Sequence, residues 1–159
     1  MPINMKRSIF LIRIILLISF ILPASAVFGV EADGIVGLWN TPGNDSKIEI
    51  YKCGDKYCGR IAELKEPNYG PNDKDGIPGQ PVLDLQNPNP ALRTRPLVGL
   101  QLMQNLTYSG KNLWEGGKIY NPNNGKIYSC KITLSAPNRL EMRGFIGFSL
   151  FGGTSVWKR

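Results

Sequence analysis

The chain contains three cysteines and no histidine, and those two facts decide most of the chemistry it can hold. Without an imidazole there is no Ser-His or Cys-His nucleophile system, and most zinc hydrolase sites are excluded. What remains is carboxylate chemistry or a lone thiol. Glu49, Glu63, Glu115 and Glu141 fall at outward positions of alternating runs and do not stand as a pair, so no catalytic residue is assigned. Cys53 and Cys58 bracket Gly54-Asp55-Lys56-Tyr57 between two alternating runs, 47–52 and 59–64. This spacing predicts a hairpin closed at its neck by a disulfide in an oxidising compartment, a bridge that contributes about 2 kcal/mol for so short a loop. Two thiolates alone are half a zinc site, so no metal or other cofactor is expected. Cys130 shares one strand face with Tyr128, Ile132 and Leu134, which predicts a buried, inert thiol. Asp73 and Asp75 precede Gly76 as in a calcium loop, but Pro71 takes the first ligand position and Val82 that of the closing glutamate. That segment reads as an Asx-rich turn.

The elements that must position these groups repeat at period two, with turn residues every eight to twelve positions. Strands are expected at 34–40, 46–52, 58–64, 97–106, 112–120, 126–134, 139–146 and 148–158. Eight short sequential strands with tight connections predict an all-β fold, an up-and-down barrel whose lumen is filled by side chains or holds one small ligand. A sandwich is the alternative. Gly116-Gly117, Gly144, Gly147 and Gly152-Gly153 lie within strand runs, where they mark bulges or bends. The stretch 65–96, rich in Pro, Asn and Asp, is the one long loop.

At the N-terminus Lys6 and Arg7 precede the apolar run 8–22, followed by Pro23-Ala24-Ser25-Ala26, the order of a secretory signal peptide. Cleavage is expected after Ala26, with Ala32 as a second site, dividing the chain into a 1–26 leader and a 27–159 barrel domain. Arg13 interrupts the apolar run, which argues against an uncleaved anchor, and no segment that could stably span a membrane remains after cleavage. Loss of Lys6, Arg7 and Arg13 lowers the formal charge from +7 to +4. The remaining charges are interspersed without an arginine-rich face, so no nucleic-acid partner is indicated, while diffuse attraction to anionic surfaces is left open.

Gly37-Leu38-Trp39, the Cys53–Cys58 hairpin running into Gly59-Arg60-Ile61, and the segment from Asn87 to Leu97 carry a resemblance. So do Gly117-Lys118-Ile119-Tyr120-Asn121-Pro122, Gly125-Lys126-Ile127-Tyr128, Arg143-Gly144-Phe145-Ile146-Gly147 and Val156-Trp157-Lys158-Arg159. Together they resemble the DUF2147 family over essentially the whole expected mature chain. The resemblance implies a protein exported to the periplasm or outer envelope of a Gram-negative bacterium, with a lipocalin-like barrel and no established activity. Gly37-x-Trp39 is similar to the lipocalin signature, in which the Trp plugs one barrel end beneath a basic residue from a late strand. By that analogy Arg143 or Arg159 covers Trp39 in a structural cation–π contact.

Three functions compete on this reading. The preferred one is a non-catalytic module holding a small apolar ligand, with Trp114, Tyr120 and Tyr128 as candidate wall residues, although strand aromatics are more often plain core. The second is an envelope protein-interaction domain with a filled barrel, acting through the 65–96 loop. Asp84, Asn87, Arg93 and Arg95 are its candidate contacts, against the plainer reading that they tie the loop down. An enzyme ranks third. Oligomeric state is not legible in the sequence.

Overall fold

Each run of alternating residues leaves one apolar face to bury, and eight such faces in succession close on a shared interior. The computed structural model describes residues 31–159; the expected leader and the Ala26 cleavage point lie outside them. Eight antiparallel strands form a closed barrel in chain order. They are β1 (Gly37–Asn40), β2 (Ser46–Cys53), β3 (Lys56–Leu64), β4 (Gln101–Gly110), β5 (Leu113–Asn121), β6 (Lys126–Ala136), β7 (Arg139–Phe145) and β8 (Gly152–Lys158). The Cys53–Cys58 disulfide spans the β2–β3 hairpin with its Cα atoms 5.8 Å apart. Closure between β1 and β8 rests on one register pair, Asn40 with Lys158, where the Asn40 amide also donates to the Lys158 carbonyl.

Antiparallel succession sends the connections alternately to two ends. The tight turns after β2, β4 and β6 share one end with a 3₁₀ turn, Ala32–Ile35, and this end is closed. Trp39 Nε1 donates to the Ile35 carbonyl at 2.8 Å, and Trp114 Nε1 to that of Ala32 at 2.9 Å. Asp33 accepts from the Tyr57 hydroxyl at 2.7 Å and pairs with Lys52. Ile35, Trp39, Ile50, Leu106, Trp114, Ile132 and Leu140 pack there without solvent exposure. In β5 the register shifts between Trp114 and Gly117, and Gly116 has φ +76°. A Cβ on Gly117 would lie 2.7 Å from the Leu106 side chain and 2.9 Å from Cys130 Sγ. Glycine there lets β5 close over Cys130, which is buried and free.

Three strand boundaries differ from expectation. Residues 34–36 belong to the 3₁₀ plug and its exit, β4 runs four residues later than expected, and β8 begins at Gly152 instead of 148. The 3₁₀ plug packs at the closed end, and residues 97–100 form a turn in which the Gly99 N–H and the Leu100 carbonyl bond to Ile61 of β3.

Candidate ligand-binding site

The other end holds the β1–β2, β3–β4, β5–β6 and β7–β8 connections, and it is hollow. A cavity of about 560 Å³ opens there, within the roughly 300–1,000 Å³ typical of small-molecule sites. Its walls are Ile48, Leu64, Leu97, Leu102, Ile119 and Met142, with Trp157 also contributing. Thr41, Ser46, Asn121, Asn123, Tyr128 and Ser155 supply hydroxyls and amides, and Asp45 is the one charged residue in the lining. Gly144 and Gly153 face each other across β7 and β8 and both line the cavity. Neither has a left-handed φ, and a Cβ on Gly153 would meet nothing within 4 Å. The backbone therefore does not demand glycine at Gly153, and what its missing side chain provides is space.

The long loop is fastened beside this cavity by one buried carboxylate. Asp84 has no solvent exposure. It accepts from Arg95 Nε at 2.9 Å, Asn87 Nδ2 at 2.8 Å and the Tyr120 hydroxyl at 2.6 Å, and it forms an ion pair with Arg95. Arg93 Nε donates to the Asn87 carbonyl at 2.7 Å. Three side chains, Arg95 with two of its nitrogens, satisfy the carboxylate as a buried charge must be satisfied. At Gly125 (φ +69°) a Cβ would collide with the Gln86 carbonyl, so the β5–β6 turn packs directly on the loop. Burial, followed by the bond to Asp84, raises the Tyr120 pKa.

A family model described as "Uncharacterized protein conserved in bacteria (DUF2147)" matches residues 37–159. The chain belongs to the DUF2147 family. Among solved structures this DUF2147 chain is similar to protein HP1028 from Helicobacter pylori, which is described as a member of the lipocalin family. The likeness has a TM-score of 0.64 and 25% identity, covering 79% of this chain and 82% of that one. A search of curated proteins found no match.

In the DUF2147 barrel the three aromatic candidates separate. Tyr128 lines the cavity and pairs across the sheet with Ile119, another lining residue. Tyr120 also lines it while its hydroxyl is engaged by the loop. Trp114 does not: it sits at the start of β5, packed against Tyr108 at 4.8 Å between centroids. Six residues of strand, roughly 20 Å, separate the two ends of β5, so Trp114 and Tyr120 cannot serve one site. Of the two arginines proposed over Trp39, Arg159 is there, 4.4 Å from the ring centroid. Arg143 lies toward the open end of β7 and donates to the Ser149 and Leu150 carbonyls and to Thr154. The loop candidates Asp84 and Asn87 are buried and bonded to each other, to Arg95 and to Tyr120, which makes them fasteners. Thr41, Asp45, Ser46 and Trp157 escaped the sequence reading. Strand alternation could have flagged Ser155 and Trp157, which share a face of β8, whereas connection residues carry no periodic signal.

Among the described residues no helix is long and apolar enough to cross a membrane, and no cluster of three metal-ligating side chains forms. The four outward glutamates pair locally instead: Glu49 with Arg60, Glu63 with Lys47, Glu141 with Arg139, and Glu115 with the Ser109 hydroxyl.

Proposed function

We propose that the mature chain is exported and that its barrel holds one small, mainly apolar molecule in the open-end cavity. The observation that carries this reading is the pairing of apolar walls with volume withheld at Gly144 and Gly153. The polar groups of the lining narrow the ligand further. They include hydroxyls, amides and one carboxylate but no Lys or Arg, so a ligand ending in a neutral polar group fits better than one ending in a carboxylate. The competing loop-mediated reading is weakened because Asp84 and Asn87 are committed internally. Export is supported by the tripartite leader pattern and by the disulfide. Cleavage after Ala26 is supported over Ala32, because the carbonyls of Glu31 and Ala32 accept hydrogen bonds from Gly34 and Trp114.

Native mass spectrometry of protein purified from its own envelope tests the reading. A single co-purifying small molecule on a chain beginning at Val27 is the expected result. Titration with tail-matched fatty alcohol and fatty acid tests the polar end, the alcohol binding more tightly. An empty protein that binds neither refutes the binding function, and a full-length cytosolic species as the main product refutes export.

A further inference from the structure

Beside the cavity mouth, the β7–β8 connection presents Ile146, Phe148, Leu150 and Phe151 at 65, 78, 85 and 73% exposure. These are not residues of a collapsed loop. Arg143 donates to the Ser149 and Leu150 carbonyls, Phe151 N–H to the Phe148 carbonyl and Ile146 N–H to that of Phe151, and Gly147 takes the left-handed turn position at φ +67°. The polar backbone is thus satisfied inward while the apolar side chains are turned out. On the adjoining strand, whose register pairs Ser129 with Phe145, Ile127 is 63% exposed beside Lys126. Concentrated exposure of this kind marks an interaction surface.

We propose that this tip docks the barrel onto an anionic phospholipid bilayer, cavity mouth toward the lipid. Charge selects the bilayer as the occupant. Lys118, Lys126, Lys131 and Arg143 lie on β5, β6 and β7, the strands whose register leads to the tip, against Asp45 in the cavity lining, while Arg139, Lys158 and Arg159 belong to the closed end. No carboxylate side chain occurs from Met142 to Arg159. A short tip of exposed aromatic and aliphatic side chains, with Lys126 and Arg143 beside it, matches the interface of an anionic membrane. The proposal does not depend on the cavity being occupied.

The test is flotation of the processed protein, expressed from the full chain, with vesicles of phosphatidylcholine alone or mixed with phosphatidylglycerol. Wild type floats with the mixed vesicles and more weakly with pure phosphatidylcholine. The F148S/L150S/F151S variant keeps its melting temperature but binds the mixed vesicles weaker by roughly tenfold or more, and Lys126→Gln weakens binding to the mixed vesicles alone. A polarity-sensitive dye on Leu150→Cys, selective because Cys130 is buried, shifts to apolar emission on vesicle addition. The proposal is overturned if wild type floats with neither vesicle, or if the triple variant floats equally well. Tip-dependent dimerisation in sedimentation without vesicle binding also overturns it and assigns the patch to a second copy.

Discussion

Arg159 places its guanidinium 4.4 Å from the centroid of the Trp39 ring while its three nitrogens donate to the carbonyls of Pro137, Val36 and Gly34. One side chain just beyond β8 therefore ties the β6–β7 turn and the 3₁₀ plug to the tryptophan that seals the barrel. Arg159→Ala is expected to cost about 1–2 kcal/mol, because the contacts are partly solvated. Arg159→Lys restores only part of this, since an ammonium cannot reproduce the planar fork. Denaturant unfolding measures both, and a loss within experimental error for Arg159→Ala shows that the clamp is decorative.

Asp84 is expected to govern the order of the 65–96 loop. Asp84→Ala strands the Tyr120 hydroxyl and the Asn87 amide, a loss of about 2–3 kcal/mol, and limited proteolysis should then cut between Lys65 and Pro96. Loop cleavage no faster than in wild type would show that Gly125 packing alone holds it.

Alkaline stability follows from three groups shifted in one direction. Burial raises the Cys130 pKa from 9.0 to about 12; burial, then the bond to Asp33, raises Tyr57 from 10.0 to about 12; Tyr120 is raised as well. A group with a raised folded pKa contributes stability that is complete below its unfolded pKa and lost as pH climbs through the folded value. Stability should therefore decline from about pH 9 toward pH 12, and Tyr57→Phe combined with Cys130→Ala should flatten that decline. Asp33 is shifted the other way, chiefly by the Tyr57 hydroxyl and then by Lys52, so its contribution is present above the ordinary carboxylate range and fades in acid. Melting temperatures across pH decide the matter, and an alkaline slope unchanged in the double variant refutes it.

Two opposite substitutions probe the cavity. Gly153→Leu projects into open space, so it should fold with little change in melting temperature while reducing probe affinity about tenfold or more. Tyr128→Ala should also weaken binding but destabilise far less than the roughly 3–5 kcal/mol of a core aromatic truncation. Fluorescent-probe titration beside thermal melts reads both; a large stability loss in Tyr128→Ala with binding intact would mean that this end is packed core.

The barrel, its strand order and the hairpin disulfide were legible because period-two alternation and cysteine spacing are local signals. Depth within the barrel was not, so Trp114 and Tyr128 looked alike although one seals the floor and the other faces the cavity. The choice between Arg143 and Arg159 was equally invisible, since it depends on which end of β7 and β8 meets the plug. Ile146, Phe148, Leu150 and Phe151 read as strand because they are apolar, yet they are exposed, and nothing in their alternation distinguishes exposed from buried. Asp84 showed its importance only through partners that lie 3, 11 and 36 residues away.

The seam between β1 and β8 joins residues 118 apart in sequence, whereas every other strand pairs with its immediate successor. Successive strands can therefore pair with their chain neighbours, β3 and β4 across the long 65–100 connection, but the ring cannot be completed until both extremities of the barrel domain meet, the step with the largest loop-closure entropy. For a chain threaded through a membrane from its N-terminus, β1 and the plug would wait, unsealed, for β8 to emerge. The interior is at its most open just before that seam forms, so the last pairing to form is also the one that fixes what the barrel encloses.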